Sequence, residues 1–243
     1  TTTLQSSNAN ILIDATINGS ANKVESLVVN AGTGMVTLGN SIGETARLNN
    51  LTVTGSRINI LADIITGIAQ TYNGAIYIGD ASYLGKTPTV GFLFTDNYKG
   101  YFQYVSGVGV RSSTISYLDL NPIYVRTMIS EDPSVTYNGT VNDTVANTHT
   151  LLVAAIAPTA ISSSSGYAAV NAGATINFNA PVGSSAPLYS LNAQTVVSNT
   201  QSNASTSYIG TVSLVDSVAT YSDQIYRANL MSAQSSTAPG NVT

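Results

Sequence analysis

The chain has 243 residues, of which 43% are hydrophobic and only 8% are charged, a composition that supports a sizeable core and excludes a highly charged disordered segment. The net charge is −4, and the eight basic residues are scattered singly, which argues against nucleic-acid binding and against docking to an anionic membrane surface. There is no cysteine, which excludes disulfides, thiolate metal sites and a thiol nucleophile.

Residues 1–80 consist of short alternating strands joined by small corners of glycine, asparagine and threonine. The segment 27–38 runs Leu-Val-Val, then Asn-Ala-Gly-Thr-Gly, then Met-Val-Thr-Leu; β-branched residues favour strands, whereas glycine and asparagine favour turns. Leu51 begins a similar strand 24 positions after Leu27 (51 − 27), and Ile76 follows Leu51 by 25 (76 − 51). A period in the twenties matches one coil of a β-solenoid. We therefore predict an all-β chain that begins with β-solenoid coils.

Residues 81–127 depart from this pattern because aromatic residues are concentrated there. We predict an aromatic-rich insertion or small subdomain that projects from the coils, and two roles for its rings stay open. They could cover an otherwise open flank, or they could form a contact surface for a glycan or a partner, because exposed aromatics supply much of the contact energy at interfaces. The candidate contact residues are Tyr98, Tyr101, Phe102 and Tyr104.

A short phrase recurs after this insertion. Thr136-Tyr-Asn-Gly139 repeats Thr71-Tyr-Asn-Gly74, and Thr220-Tyr-Ser-Asp223 is a third copy. The third copy is followed by Ile225-Tyr226, which matches Ile76-Tyr77, since 220 − 71 and 225 − 76 both give 149. The repetition predicts that coils resume after each interruption, first over residues 128–157.

A serine-rich segment divides the second half of the chain. Residues 158–166 have the composition of a linker or exposed loop, residues 167–234 contain further strand-like segments, and residues 235–243 are typical of a flexible tail or connector. Two folds stay open for this half. Continued coils fit the strand spacing, and so does a β-sandwich built from short strands.

The segments 27–39, 51–55 and 70–78 resemble the β-strand repeats of filamentous-haemagglutinin-like exoproteins, the large bacterial surface adhesins of two-partner and autotransporter type. The resemblance covers residues 1–80, extends more loosely to 128–145 and 205–230, and does not include the aromatic-rich insertion. It implies a right-handed parallel β-helix, export to the cell surface and an adhesive or fibrous role, and it implies no catalytic residues. Those adhesins are much longer chains. We therefore expect either an excised module of such a protein or a short subunit that gains length by stacking.

The ionisable residues are too dispersed to indicate an active site. The single histidine, His149, is expected on a loop or strand face, and Glu131-Asp132 before Pro133 is expected to form a turn. The other aspartates that we considered are isolated along the chain: Asp63, Asp80, Asp96, Asp119, Asp143, Asp216 and Asp223. Calcium-binding repeats and EF-hand loops are absent from the sequence. No cofactor is expected, although weak calcium binding by corner oxygens stays open.

These observations favour a non-enzymatic, extracellular structural or adhesive protein of a bacterial cell surface. Stacked coils expose an unpaired sheet edge at each end, so the segments 1–20 and 225–243 are predicted to form joints in a self-assembling filament. The expected partners are copies of the chain or neighbouring modules of a longer chain, with neither nucleic acid nor membrane insertion. A glycan- or receptor-binding module is the alternative, and a carbohydrate-active β-helix enzyme is a remote one.

Overall fold

The fold is all-β, as the composition predicts. This computed structural model describes residues 1–22, 24–86, 124–130, 134–158, 174–198 and 210–232, a few of them by backbone alone. The strands in these ranges are β1 Thr2–Gln5, β2 Ile11–Ile13, β3 Leu27–Asn30, β4 Met35–Leu38, β5 Leu48–Ile60, β6 Ile64–Ile78, β7 Tyr124–Ser130, β8 Ser134–Tyr137, β9 Val141–Asp143, β10 His149–Pro158, β11 Thr175–Phe178, β12 Ser190–Ser198, β13 Thr211–Leu214, β14 Gln224–Arg227 and β15 Asn229–Ser232. A 3₁₀ helix, Ala81–Leu84, is the one helical element among the described residues.

The strands form one sheet, in which every pairing between the described strands is parallel. They stack in three columns. The first column contains β1, β3, the middle parts of β5 and β6, and then β8, β11, β13 and β15. Its register aligns Leu4, Val29, Val53, Tyr72, Tyr137, Phe178, Leu214 and Ser232.

The second and third columns are built from the remaining strands. The second column stacks β2, β4, the ends of β5 and β6, and β9, and continues through single bridges at Val182 and Val218. The third column begins with single bridges at Ile17 and Ile42 and continues through the start of β6, β7, β10, β12 and β14. The chain runs through the first, second and third columns in this order and then repeats the run. We call one such run a passage.

Most of the predicted insertion, residues 87–123, lies outside the described residues. Among the described strands, β6 ends at Ile78 in the second column and the next strand, β7, begins at Tyr124 in the third. The strand β7 therefore begins four residues before position 128, where coils were predicted to resume. The second half adds its strands in parallel to the same sheet. A β-sandwich of the kind considered for this half is built from antiparallel sheets, so that alternative is wrong.

The core lies between the columns and is filled by alternate residues of each strand. In the first column Val29, Val53, Ile176 and Val212 are fully buried, whereas their chain neighbours point outward. Three rings continue this core as a stack. The ring centroids of Tyr72 and Tyr137 are 5.5 Å apart, those of Tyr137 and Phe178 are 4.9 Å apart, and both interplanar angles are 11°. These stacked contacts add to the area that the rings bury.

One inward position is occupied by a polar residue, Gln70, and the spacing inferred between Leu51 and Ile76 does not hold there. Leu51 pairs with Leu27 as expected, but its partner on the other side is Gln70, whereas Ile76 pairs with Ile58 in the second column. The buried amide of Gln70 accepts a hydrogen bond from the Tyr72 hydroxyl at 2.7 Å and donates to a main-chain carbonyl. Because its polar groups are satisfied, glutamine takes an inward position that the alternation of apolar residues does not reveal.

The first two copies of the repeated phrase stack directly on each other. Thr71 pairs with Thr136 and Tyr72 with Tyr137. The third copy is not equivalent: Thr220 bridges Leu188 at the corner before the third column, and the predicted correspondence is wrong. The equivalent position in the next passage is occupied by Asn177-Phe178-Asn179. This segment keeps the alternation of outward polar and inward aromatic side chains, although its sequence differs from that of the repeat.

Glycines stack at the corner between the first and second columns. A Cβ atom at Gly74 would overlap the carbonyl oxygen of Gly55, and one at Gly139 would overlap the carbonyl oxygen of Gly74. Gly74 also has a φ angle of +145°, which L-residues rarely adopt. Successive passages therefore approach each other closely at this corner because glycine occupies it.

Candidate functional site

The most concentrated group of ionisable side chains lies at the corner between the second and third columns. Nδ1 of His149 is 2.5 Å from Oδ1 of Asp143, and Nε2 of His149 is 3.3 Å from Oδ2 of Asp80. The three residues are 1–2% exposed. Each ring nitrogen of His149 thus lies within hydrogen-bond distance of a different carboxylate, and the ring bridges Asp143 and Asp80.

Main-chain groups complete this Asp80–His149–Asp143 cluster. Oδ2 of Asp143 accepts from the main-chain N–H groups of Thr148 and His149 at 2.9 and 2.8 Å, and its Oδ1 accepts from that of Val145 at 3.0 Å. The carboxylate therefore fixes the whole connection between β9 and β10.

Asp80 performs the equivalent role for the 3₁₀ helix. It is the N-cap residue, and its Oδ1 accepts from the main-chain N–H of Ser82 at 2.7 Å. Burial alone would raise the pKa of Asp80, but hydrogen bonds from Ser82 and the interaction with His149 hold that pKa below its ordinary value of 3.8. The cluster thus joins the point where the chain leaves the sheet after β6 to the next passage.

The chemistry of this cluster is structural in character. An acid–base site must have its reacting atoms within reach of a substrate, whereas these side chains are almost completely covered. The sequence interpretation treated Asp80 and Asp143 as isolated and His149 as an ordinary loop or strand residue. The structure brings the three together, and the available signal was Asp143 itself, a charged residue at an inward position in line with Ile78.

A second feature is the outer surface of the first column, which we call the threonine–asparagine face. It has three rows of outward side chains. The middle row is Thr3, Val28, Thr52, Thr71, Thr136, Asn177, Ser213 and Met231. The flanking rows are Ser26, Asn50, Ala69, Ser134, Thr175 and Thr211 on one side, and Gln5, Asn30, Thr54, Asn73, Asn138 and Asn179 on the other.

Hydrogen bonds run along these rows from one passage to the next. Nδ2 of Asn138 donates to Oδ1 of Asn73, and Nδ2 of Asn179 donates to Oδ1 of Asn138, both at 2.8 Å. Asn73 in turn donates to the hydroxyl of Thr54 at 3.2 Å. Threonine is β-branched and therefore restricted at χ1. The side chains of this face are consequently held in a fixed array.

Several outward side chains of the other two columns are covered, although Leu12 in the second column is 57% exposed and Arg57 and Tyr77 there are partly exposed. Thr37, Asn59 and Asn142 in the second column are at most 3% exposed, and Ala154 and Gln194 in the third are at most 2% exposed. The outward residues of the threonine–asparagine face are at least partly exposed in every passage. This face is therefore accessible along the described length of the sheet.

At the two ends of the described sheet, inward residues are partly exposed. Leu4, which is aligned with the fully buried Val29, is 37% exposed, and Leu230, which is aligned with the fully buried Val212, is also 37% exposed. Among the described strands, β1 pairs with β3 alone and β15 pairs with β13 alone. Each end therefore presents both a strand edge and open apolar core.

The aromatic candidates lie outside the described residues. These are Tyr98, Tyr101, Phe102 and Tyr104, and the pair Glu131-Asp132 lies outside them as well. In the described ranges, no set of three or more histidine, aspartate or glutamate residues has an arrangement that could hold a metal ion. Likewise, no helix within those ranges is long and apolar enough to cross a membrane.

Comparison with family models, curated proteins and solved structures finds no match to this chain.

Proposed function

We propose that this protein is a non-enzymatic structural or adhesive element of a bacterial cell surface: a right-handed parallel β-helix that extends by stacking further coils on its ends. The ordered passage through three parallel columns is what supports a β-helix. The right-handed sense follows from the general handedness of parallel crossover connections.

The observation that carries this proposal is the open core at both ends. Leu4 and Leu230 occupy positions that are completely buried in the adjacent passages. Another coil of the same kind would cover these residues and pair with the edge strand, just as β3 covers β1. The coil could belong to a neighbouring module of a longer chain or to a second copy.

The hydrogen-bonding direction of β1 supports such a joint. The main-chain N–H groups of Thr2 and Ser6 donate to the passage that contains β3. Since alternate residues of a strand point their N–H groups to opposite sides, those of Thr3 and Gln5 face away from the sheet. They are available to an incoming strand, which is the strand-addition mode of recognition.

A structural role also suits the ionisable groups. The Asp80–His149–Asp143 cluster is covered and is occupied in holding corners together. Low charge and long rows of threonine and asparagine suit an extended surface fibre outside the cell. This supports the extracellular, adhesive role that the resemblance to large surface adhesins implies.

The proposed joint is tested by removing the outward N–H groups of β1. The double variant Thr3→Pro with Gln5→Pro lacks both donors, whereas Thr3→Val with Gln5→Val retains them as a matched control. Proline is tolerated where an edge strand has its N–H directed to solvent. Electron microscopy should show extended rods for the wild type and the valine control, and single short units for the proline variant. Equal rod lengths in all three would reject β1 as a joint.

A further inference from the structure

We propose that the threonine–asparagine face is a second assembly surface, through which two copies of this chain pack side by side. This surface lies along the flank of the stack, so it is distinct from the end joints proposed above. The occupant we infer is a second copy that presents the same face.

The first argument is the match of repeat distances. Neighbouring strands of a parallel sheet are about 4.8 Å apart, and alternate residues along a strand are about 6.6 Å apart. The face is therefore a lattice with these two spacings. A second copy has the same lattice, so once one passage is in contact, the others fall into register along the length of the stack.

The second argument is preorganisation. The asparagine row from Asn73 to Asn179 is already fixed by its own hydrogen bonds, and the threonines have restricted χ1 angles. Ordering of flexible side chains is one of the main costs of association. A surface that is already ordered avoids much of that cost, and rows of identical small polar side chains are suited to interdigitation.

The third argument is the absence of repulsion. The three rows of the threonine–asparagine face contain no aspartate, glutamate, lysine or arginine, although the chain as a whole carries a net charge of −4. Two such faces can approach without like charges opposing each other. Charged side chains are the usual means by which exposed strands are kept apart, and this face lacks them.

The area of the face sets the expected strength of pairing between two copies. Eight strands and three rows give a face about 34 Å long and 13 Å wide, on the order of 450 Å² per copy. A stable interface of standard size buries about 800 Å² per partner. A single unit should therefore pair weakly, whereas two units joined end to end reach the required area. Strong face-to-face pairing of long rods thus depends on the proposed end joints. Weak face-to-face pairing of single units does not depend on them.

The experiment measures mass per unit length, which separates the two kinds of contact. Stacking through the ends lengthens a rod without changing its mass per unit length, whereas pairing through the face doubles it. Small-angle X-ray scattering across a concentration series gives this quantity for the wild type. We expect it to double at high protein concentration. A constant value at every concentration would overturn the proposal, whatever the rod length.

A pair of variants assigns the contact to the face. Thr52→Lys with Thr136→Lys places two charges in the middle row, two passages apart, and should hold the mass per unit length at the single-rod value. Val145→Lys with Tyr221→Lys adds the same charge at residues that are 61% and 70% exposed and lie outside the face, and it should pair like the wild type. Circular dichroism checks that each variant is folded, and Thr136→Lys alone replaces the double variant if the latter unfolds.

The outcomes discriminate between occupants. Doubling that persists in the folded Thr52→Lys, Thr136→Lys variant would overturn the assignment to this face. Retention of the wild type on insoluble cellulose or chitin, lost in that variant and accompanied by an unchanged mass per unit length, would replace the second copy by a polysaccharide ligand. Loss of rod length in a Leu4→Lys variant, which changes an inward residue of β1 that lies outside the face, with pairing of single units retained, would separate the end joint from the face.

Discussion

Replacing Asp143 by asparagine should be one of the most destabilising isosteric changes in this chain. Each carboxylate oxygen of Asp143 accepts from two donors: Oδ2 from the main-chain N–H groups of Thr148 and His149, and Oδ1 from that of Val145 and from the His149 ring. Asparagine keeps one oxygen, so two of these four donors lose their acceptor, and one of the two belongs to the buried residue His149. At about 1–3 kcal/mol each, the free energy of unfolding should fall by about 4 kcal/mol.

The matched control is Asp216→Asn. Asp216 is exposed and accepts from the main-chain N–H of Ser217, and its replacement makes the same change in charge. A surface change of this kind should alter stability by less than about 0.5 kcal/mol. Urea unfolding followed by far-ultraviolet circular dichroism compares the two variants with the wild type. If Asp143→Asn is no less stable than Asp216→Asn, the cluster does not stabilise the corner in the way described.

The remaining predictions concern the glycine corner, the aromatic stack and the pH dependence of stability. Gly74→Ala should lower the thermal midpoint more than Gly85→Ala, because both positions have positive φ but only Gly74 lacks space for a Cβ; equal shifts would reject close packing at that corner. Phe178→Ala should cost about 3–5 kcal/mol, against less than about 0.5 kcal/mol for Val24→Ala at a residue that is 64% exposed, in urea unfolding. Because the folded-state pKa of Asp80 is lowered, its contribution is complete well above pH 3.8 and is lost as the pH falls below that value; Asp80→Asn should flatten this part of the stability profile. Burial raises the pKa of Tyr72 and Tyr137 above 10, so stability should fall as the pH rises beyond 10, and absorbance should show that these rings ionise only on unfolding.

The all-β content and the pairing of some strands could be predicted because they depend on local patterns. Alternation of β-branched residues with polar ones, interrupted by glycine corners, identified the strand of Leu27 and its partner at Leu51. The stacking of the Thr71 and Thr136 phrases is the same kind of signal, since identical positions in adjacent passages meet the same neighbours.

The Asp80–His149–Asp143 cluster could not be predicted from spacing. Asp80 and His149 are 69 positions apart, and the intervening insertion hides the fact that they belong to adjacent passages. The register at Gln70 was also missed, because a polar residue can take an inward position when its hydrogen bonds are satisfied, here by the Tyr72 hydroxyl and a main-chain carbonyl. The predicted equivalence of the third copy of the repeated sequence was wrong, because its residue types are common in a chain rich in threonine, tyrosine and asparagine.

Electron microscopy of the purified chain at neutral pH, combined with diffraction from aligned material, tests the central claim most directly. A β-helix that stacks through its ends should give rods that lengthen with concentration, with a reflection at about 4.8 Å along the rod axis. Compact particles that never lengthen, or a 4.8 Å reflection perpendicular to the long axis, would contradict it.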